Sequence, residues 1–202
     1  MTADTNTIRH LQQENIRLRA DNNSLKDYVT RLQNAIRALT ALQHQLDHIR
    51  PDTNIFELIQ NILKAALAAV DSEDGSLALV DEESKQLVFV EVIGTSRDKL
   101  LNFRMPANQG VAGWCVVNRK PRMVEDSRKE QAFSPQVDKM TGLQTNSLIC
   151  VPLLDGNRPL GTLEVVNTRS GRPFNQSDLE LMMLVSKLAS LAILTAEKVQ
   201  QG

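Results

Sequence analysis

Leucine recurs at every seventh residue through the first quarter of this chain. The repeat comprises Leu11, Leu18, Leu25, Leu32, Leu39 and Leu46. The second core position of the same heptads is occupied by Ile8, Asn15, Asn22, Val29, Ile36 and Gln43. A heptad pattern sustained beyond three or four repeats predicts a coiled coil, and at about 1.5 Å per residue this one is roughly 60 Å long. The chain is therefore expected to begin with a helix that needs a partner helix.

The residue types within the heptads favour a parallel two-stranded coil over residues 1–50. Leucine fills one core position, and the Asn residues at the other pair only with the same Asn of a partner in register. Glu14 with Arg19, and Asp21 with Lys26, place opposite charges at flanking positions where two helices attract each other. We predict a parallel homodimer. The alternative is one long amphipathic helix folded back on its own domain.

Composition narrows the classes of partner. The chain has 202 residues, of which 42% are hydrophobic, and a net charge of -1, enough for one domain with an appendage. A near-neutral chain has no general positive field, and the seven residues before Ile8 contain no Lys or Arg, so nucleic-acid binding is not expected. The start has no signal-peptide pattern and no run approaches 18 uninterrupted apolar residues. We expect a cytoplasmic protein without membrane partners.

The pattern from residue 51 to residue 202 is that of a globular domain. A helix is predicted over 54–70, strands over 75–81 and 87–93, a short helix from Gly110, and a short strand in "PRMVED". Two aliphatic strands flank a turn at 155–158, and a last helix begins near Asn175 or Ser177. Helices at both ends of five or six antiparallel strands indicate an α+β domain.

Four segments carry a resemblance to a known family: "DGSLALVDEESKQLVFVEVIG", "MPANQGVAGW", "FSPQVDKMTGLQTNSLICVPL" and "PLGTLEVVNTRSGRPFNQSDLELM". In this order they resemble a GAF domain over residues 54–200, closest to the type in cyclic-nucleotide phosphodiesterases and adenylyl cyclases. The resemblance implies a six-stranded antiparallel sheet with helices on both sides. It also implies a ligand-binding or dimerising module of a signalling protein.

The resemblance further implies a pocket between the sheet and residues 105–117, covered by residues 126–145. Its ligand-binding residues are then Ser76, Val111, Ala112, Asp138, Thr141, Thr145 and Glu164. Hydroxyls and helix N-terminal amides suit a cyclic phosphate, with Gly110 and Gly113 allowing close approach, and the two carboxylates suit ribose or base donors. The expected ligand is a purine cyclic nucleotide, cyclic AMP or cyclic GMP. The alternative is structural: Asp138 and Thr141 cap a helix end, while Ser76 and Glu164 lie on strand faces.

Two departures from the cyclic-nucleotide members are visible. Those members have Asn-Lys, Phe and Asp-Glu, whereas this chain has Asn167-Thr168, Phe174 and Asp178-Leu179. Because the lysine is absent, we expect Arg169 to pair with Asp178 instead. Ile93 stands where such members present a carboxylate to the base, which leaves the base identity open.

Catalytic and metal chemistry has little support in the sequence. All three histidines lie in the predicted coil, and Cys115 and Cys150 are too far apart for a CxxC site. No catalytic residues, metal ligands or resident cofactor are predicted, and the chain is not expected to be an enzyme. Two functions stay open: a dimeric small-molecule sensor that relays through its flanking helices to a downstream signalling protein in trans, and a ligand-free dimerisation or adaptor protein.

Overall fold

The computed structural model of the protein describes the backbone of residues 2–201 and the side chains of residues 6–200. In this part of the chain the helices are α1 (Thr2–Leu46), α2 (Ile55–Val70), α3 (Arg97–Leu100), α4 (Gly110–Asn118), α5 (Gln136–Thr141) and α6 (Gln176–Gln201). The strands are β1 (Asp74–Asp81), β2 (Gln86–Ile93), β3 (Arg104–Pro106), β4 (Arg122–Val124), β5 (Leu148–Asp155) and β6 (Arg158–Val166). A turn of 3-10 helix lies at Ser127–Lys129.

The six strands form one antiparallel sheet in the order β3-β2-β1-β6-β5-β4. The predicted α+β fold with a six-stranded antiparallel sheet and flanking helices is confirmed. The β5–β6 hairpin turns at Gly156, whose φ of 57° is the left-handed conformation that glycine adopts readily. Both strands are buried along most of their length, because helices cover both faces of the sheet.

One face of the sheet packs against α2 and α6, and the end of α1 packs on these two helices. The apolar side of α2 is buried there, and Ile62 and Leu63 are fully enclosed in one cluster with Leu77 and Leu163 of the sheet. The Asn54 side chain caps α2 by accepting from the N–H groups of Phe56 and Glu57, at 3.0 and 3.4 Å. The other face packs against α3, α4 and the segment that contains α5, and forms a second apolar cluster.

Helix α1 has two distinct parts. Toward its end, Ala35, Ala38 and Leu42 are buried against the domain, and their heptad positions differ from those of the leucine repeat. Packing therefore continues across the boundary placed at residue 50. The earlier heptad leucines are exposed in the single chain, from 44% at Leu32 to 63% at Leu25. A long helix with an exposed apolar stripe is consistent with a coiled coil, and the parallel coil itself stays a prediction.

The prediction that Arg169 forms an ion pair with Asp178 is wrong. Arg172 takes that place: its guanidinium holds both oxygens of Asp178, at 2.6 and 3.0 Å. Asp178 also accepts from the N–H of Asn175, and the Asn175 side chain accepts from the N–H of Asp178, so the two residues cap α6 reciprocally. Arg169 pairs with Asp71 and Glu73 instead.

Helix α6 is long and apolar enough, by length and composition, to cross a membrane. Of this span, 44% is buried inside the domain, which is also the pattern of a core helix in a globular protein. Its apolar residues Met182, Val185 and Ala189 are fully buried in the first cluster.

Candidate ligand-binding site

A cavity lies between the sheet, the start of α4 and the segment around α5. Residues of β1, β2 and β6 line one side, and the first turn of α4 lines another. The segment 133–145 covers it, and we call residues 126–145 the lid. These are the same segments that the sequence analysis assigned to a pocket.

The cavity brings together six of the seven predicted site residues: Ser76, Val111, Ala112, Asp138, Thr145 and Glu164. The strand register explains the contribution of the sheet. Ser76 of β1 lies opposite Glu164 of β6, and Glu164 lies opposite Cys150 of β5. These three residues therefore form one row across the sheet, with their side chains on the face that bears α4 and the lid. Ligand binding by the six residues remains a prediction.

Glu164 is the main electrostatic feature of the cavity floor. Glu164 is largely buried and belongs to the cavity lining. This burial raises the pKa of Glu164 to about 7; a hydrogen bond with the Cys150 thiol opposes the rise, and the charge of Asp138 adds to it. At neutral pH the carboxyl exists in both protonation states, so it either donates or accepts a hydrogen bond.

The first turn of α4 presents backbone N–H groups to the cavity. Gly110 begins the helix with a φ of 69°, and Val111 and Ala112 follow it on the cavity wall. The capping residue Gln109 makes no side-chain hydrogen bond to this turn; its amide donates to Gln136 in the lid instead, at 3.0 Å. An uncapped helix N-terminus offers donors and partial positive charge to an acceptor or an anion.

Glycine at position 113 is explained by packing within the protein, and not by close approach of a ligand as expected from the sequence. A Cβ at this position would lie 2.4 Å from the backbone of Asn108, so a larger residue would push α4 away from the preceding loop. Gly113 is absent from the residues described as lining the cavity. Its role is close packing of the chain against itself.

The lid is fixed at its ends by polar contacts. Asp138 accepts from the N–H and the hydroxyl of Thr145, at 2.8 and 2.7 Å. The Ser127 hydroxyl donates to the Thr145 carbonyl at 2.6 Å. Arg122 of β4 binds Glu130 through two hydrogen bonds, at 3.0 and 2.6 Å. The Asp138–Thr145 pair therefore shapes the lid as well as lining the cavity.

Thr141 is the predicted site residue that lies outside the cavity lining in the described structure. Its hydroxyl donates to the Val137 carbonyl at 2.8 Å and accepts from the N–H of Leu143 at 3.2 Å. These contacts close the C-terminus of α5, which was the structural alternative for this residue. The Thr141 carbonyl accepts from the Lys99 side chain at 3.3 Å, which links the lid to α3.

Sequence reasoning missed several residues of the cavity wall. Asp74 and Ser96 contribute polar groups, and Phe89 and Phe133 contribute aromatic surface. The phenylalanines follow ordinary apolar patterning and carry no separate signal. Ser96 lies in the turn after β2, where the chain has no recognisable motif.

The cavity is small in this conformation. Its volume is about 70 Å³, whereas sites for drug-sized ligands have about 300–1,000 Å³. A nucleotide-sized ligand therefore requires the lid to move outward. Lys99–Thr141 and Gln109–Gln136, which join the lid to α3 and α4, are exposed hydrogen bonds, and such contacts are worth about 1 kcal/mol each.

The ionisable side chains described in the cavity wall are all acidic. Asp74, Asp138 and Glu164 line it, and none of the described lining residues is Lys, Arg or His. Among the residues whose side chains are described, no group of His, Cys, Asp and Glu is arranged to hold a metal ion. A ligand in this cavity meets carboxyl groups, hydroxyls and backbone amides.

Comparison with known proteins identifies the family that the domain matches. A profile of the family described as "GAF domain" matches residues 54–193. The dual 3',5'-cyclic-AMP and -GMP phosphodiesterase 11A of Takifugu rubripes is 24% identical over 159 residues, which cover 74% of this chain and 18% of that protein. This chain thus spans less than a fifth of that relative's length.

Solved structures show the same fold at low sequence identity. The GAF domain of a phosphoenolpyruvate-protein phosphotransferase from Coxiella burnetii has a TM-score of 0.69 at 14% identity, covering 82% of this chain and 96% of that one. The free methionine-R-sulfoxide reductase from Neisseria meningitidis has a TM-score of 0.67 at 18% identity, covering 81% and 90%.

Proposed function

This chain belongs to the GAF-domain family, and from that premise we propose that it is a dimeric signal-transduction module that binds a small molecule in the cavity under the lid. We propose a purine cyclic nucleotide as the ligand. The output is relayed through the flanking helices to a downstream protein in trans, and the chain itself has no catalytic role.

The observation that carries this proposal is the convergence of distant polar groups on one cavity. Ser76, Asp138, Thr145 and Glu164 come from two strands and the lid, and the N-terminus of α4 faces the same space. Ser76 and Thr145 are buried, at 5% and 7% exposure. Convergent polar groups in an otherwise apolar cavity are the usual signature of a ligand site.

A cyclic nucleotide fits the distribution of donors and acceptors. Its single negative charge is best placed at the first turn of α4, because the described cavity wall has no basic side chain to receive it. Its ribose and base donors suit Asp138 and Glu164. The phosphodiesterase relative, named for cyclic AMP and cyclic GMP, supports the same choice of ligand.

The sheet connects the cavity to the helices. At Gly75, next to Ser76, an added Cβ would lie 2.6 Å from the Glu164 carbonyl and 3.1 Å from the Leu67 side chain of α2. β1 and α2 are therefore in close contact directly behind the cavity floor. A ligand that moves β1 displaces α2, which packs on the end of α1. A tenfold preference for one arrangement shifts this equilibrium by about 1.4 kcal/mol.

The exposed stripe of α1 supports a homodimer. Its apolar members, Ile8, Leu11, Leu18, Leu25, Val29, Leu32 and Ile36, are each 44% or more exposed in the single chain. Soluble monomers rarely leave so long an apolar stripe uncovered. Ala35, Ala38 and Leu42 dock on the domain, and Leu39 and Leu46 of the leucine repeat are partly buried against the same core. The stripe from Ile8 to Ile36 stays accessible to a second copy.

The adaptor function has its own supporting observation, the small size of the cavity. Its volume of about 70 Å³ is too small for a nucleotide unless the lid moves outward. If the lid does not open, the chain acts through its coil and domain surfaces alone.

Isothermal titration calorimetry of the full chain with cyclic AMP and cyclic GMP separates the two functions. We expect heat with at least one nucleotide, and an affinity about tenfold weaker in Ser76→Ala, since one hydrogen bond to the ligand is lost. Ser84→Ala, the same change in the exposed turn between β1 and β2, should leave the affinity unaltered. No heat with either nucleotide in the wild-type chain would contradict the cyclic-nucleotide sensor and favour the adaptor.

A further inference from the structure

We propose that Ser96 is a ligand-binding residue of the cavity and that its hydroxyl bonds a neutral polar group of the ligand, distinct from the anionic end held at α4. This inference rests on the proposed ligand-binding function. It adds a contact in the turn between β2 and α3.

The Ser96 hydroxyl lacks a partner in the closed conformation. Ser96 is 5% exposed and belongs to the cavity wall. Its Oγ is shielded from solvent and has no hydrogen-bond partner among the described residues. Buried polar atoms nearly always have a partner, and an unpaired one is unfavourable. A ligand that enlarges the cavity reaches this wall and supplies the missing bond.

The surrounding turn is well ordered by its own bonds. Asp74 Oδ1 accepts from the N–H and the hydroxyl of Thr95, at 2.8 and 2.9 Å. Gly94 makes this contact possible: its φ is 105°, and a Cβ there would lie 2.2 Å from Asp74 Oδ1. The Ser96 carbonyl accepts from the N–H groups of Lys99 and Leu100, at 3.2 and 3.0 Å. The Ser96 hydroxyl is thus left unpaired in a turn that these other hydrogen bonds hold in place.

The charges around this wall favour a neutral group. Asp74 binds Thr95, the residue before Ser96, and lines the same cavity, and basic side chains are missing from the described lining residues. The guanidinium of Arg97, the next residue, is engaged by the Glu91 carboxylate and the Val92 carbonyl. A phosphate here would face a carboxylate without a compensating cation. A carbonyl, amide, amino or hydroxyl group suits a serine hydroxyl, which both donates and accepts.

The test compares Ser96→Ala with Ser72→Ala in the full chain. Ser72 is a buried serine whose hydroxyl is already paired: its one proton is shared between the Val166 carbonyl, at 2.8 Å, and the Asp74 carbonyl, at 3.1 Å. Urea unfolding measures stability, and calorimetry with cyclic AMP and cyclic GMP measures affinity. We expect Ser96→Ala to weaken nucleotide binding about five- to tenfold while its unfolding midpoint stays equal to or above that of the wild type. Ser72→Ala should instead lower the midpoint, because it removes a partner from buried carbonyls.

The outcomes are distinguishable. Unchanged affinity in Ser96→Ala overturns the proposal, and so does a lowered midpoint like that of Ser72→Ala, because the hydroxyl then has a structural partner. If the wild-type chain binds neither nucleotide, the proposed cyclic-nucleotide function fails. In that case the urea unfolding midpoint of Ser96→Ala tests the proposal. An unchanged midpoint supports an unpaired hydroxyl that is held for another ligand, and a lowered midpoint overturns the proposal.

Discussion

Glu164 makes the stability of this protein depend on pH in a specific window. Burial raises its pKa from 4.5 to about 7. Below pH 4.5 the carboxyl is protonated in both the folded and the unfolded chain, so Glu164 does not lower the free energy of unfolding. As pH rises from 4.5 to 7, the unfolded chain releases this proton and the folded chain retains it, so the free energy of unfolding falls. Above pH 7 both states are ionised, and the loss is complete.

The size of this loss follows from the pKa difference. One pKa unit corresponds to about 1.4 kcal/mol, so the rise from 4.5 to about 7 gives an upper limit between about 3 and 4 kcal/mol. Glu164 is not completely shielded from solvent, which reduces this figure, and we expect about 1–3 kcal/mol. Asp81 and Asp126, whose pKa values are lowered to about 2 mainly by hydrogen bonds from Arg104 and Arg128, act at more acidic pH.

Glu164→Gln is the matched variant, because the amide has the same shape and no titration. Urea unfolding is followed by Trp114 fluorescence from pH 5 to pH 8 at fixed protomer concentration. Subtracting the free energy of unfolding of the variant from that of the wild type at each pH cancels the contributions of the other titrating groups. The wild type should lose about 1–3 kcal/mol relative to the variant as pH rises. A difference that stays constant within about 0.5 kcal/mol would show that Glu164 is solvated and refute this account of the cavity floor.

Three further variants test other parts of the structure. Leu25→Glu, on the exposed leucine stripe, should raise the dimer dissociation constant at least about 100-fold in analytical ultracentrifugation, whereas Ala20→Glu, off the stripe, should leave it unchanged; equal effects would contradict the coil. Asp178→Ala should lower the free energy of unfolding by about 3 kcal/mol, because it leaves a partly buried arginine unpaired, and Arg169→Ala should cost about 0.5 kcal/mol or less; the reverse order would contradict the cap described for α6. Asp138→Ala should speed amide hydrogen exchange at residues 143–146, and unchanged exchange would show that the lid is fixed without this carboxylate.

The elements that sequence predicts well are those with strong periodicity or turn chemistry. The helix at 54–70 begins one residue later than expected because Asn54 is its cap, and strands β1 and β2 each begin one residue earlier. β3 has three residues and α3 has four. Segments of this length form through contacts with the rest of the domain, and they lack a periodic signal of their own.

In the site, the types of the residues do not predict which way a side chain turns or which partner it binds. Whether Thr141 or Thr145 turns toward the cavity depends on how α5 packs against the rest of the domain. Gly142, with φ of 81°, signals locally that the helix ends, but it does not say which threonine faces the cavity. The ion pair at Asp178 depends on whether Arg169 or Arg172 reaches it along an irregular loop, and charge alone does not distinguish them. The unpaired hydroxyl of Ser96 becomes visible only when the bonds of its neighbours are known.

Native mass spectrometry of the full chain tests the central claim, a dimer with a small-molecule cavity, most directly. The account predicts the mass of two chains, and an added mass of one nucleotide per chain after incubation with cyclic AMP or cyclic GMP, reduced by Ser76→Ala. A mass of two bare chains under all of these conditions would contradict the ligand-binding claim, and a mass of one chain would contradict the dimer.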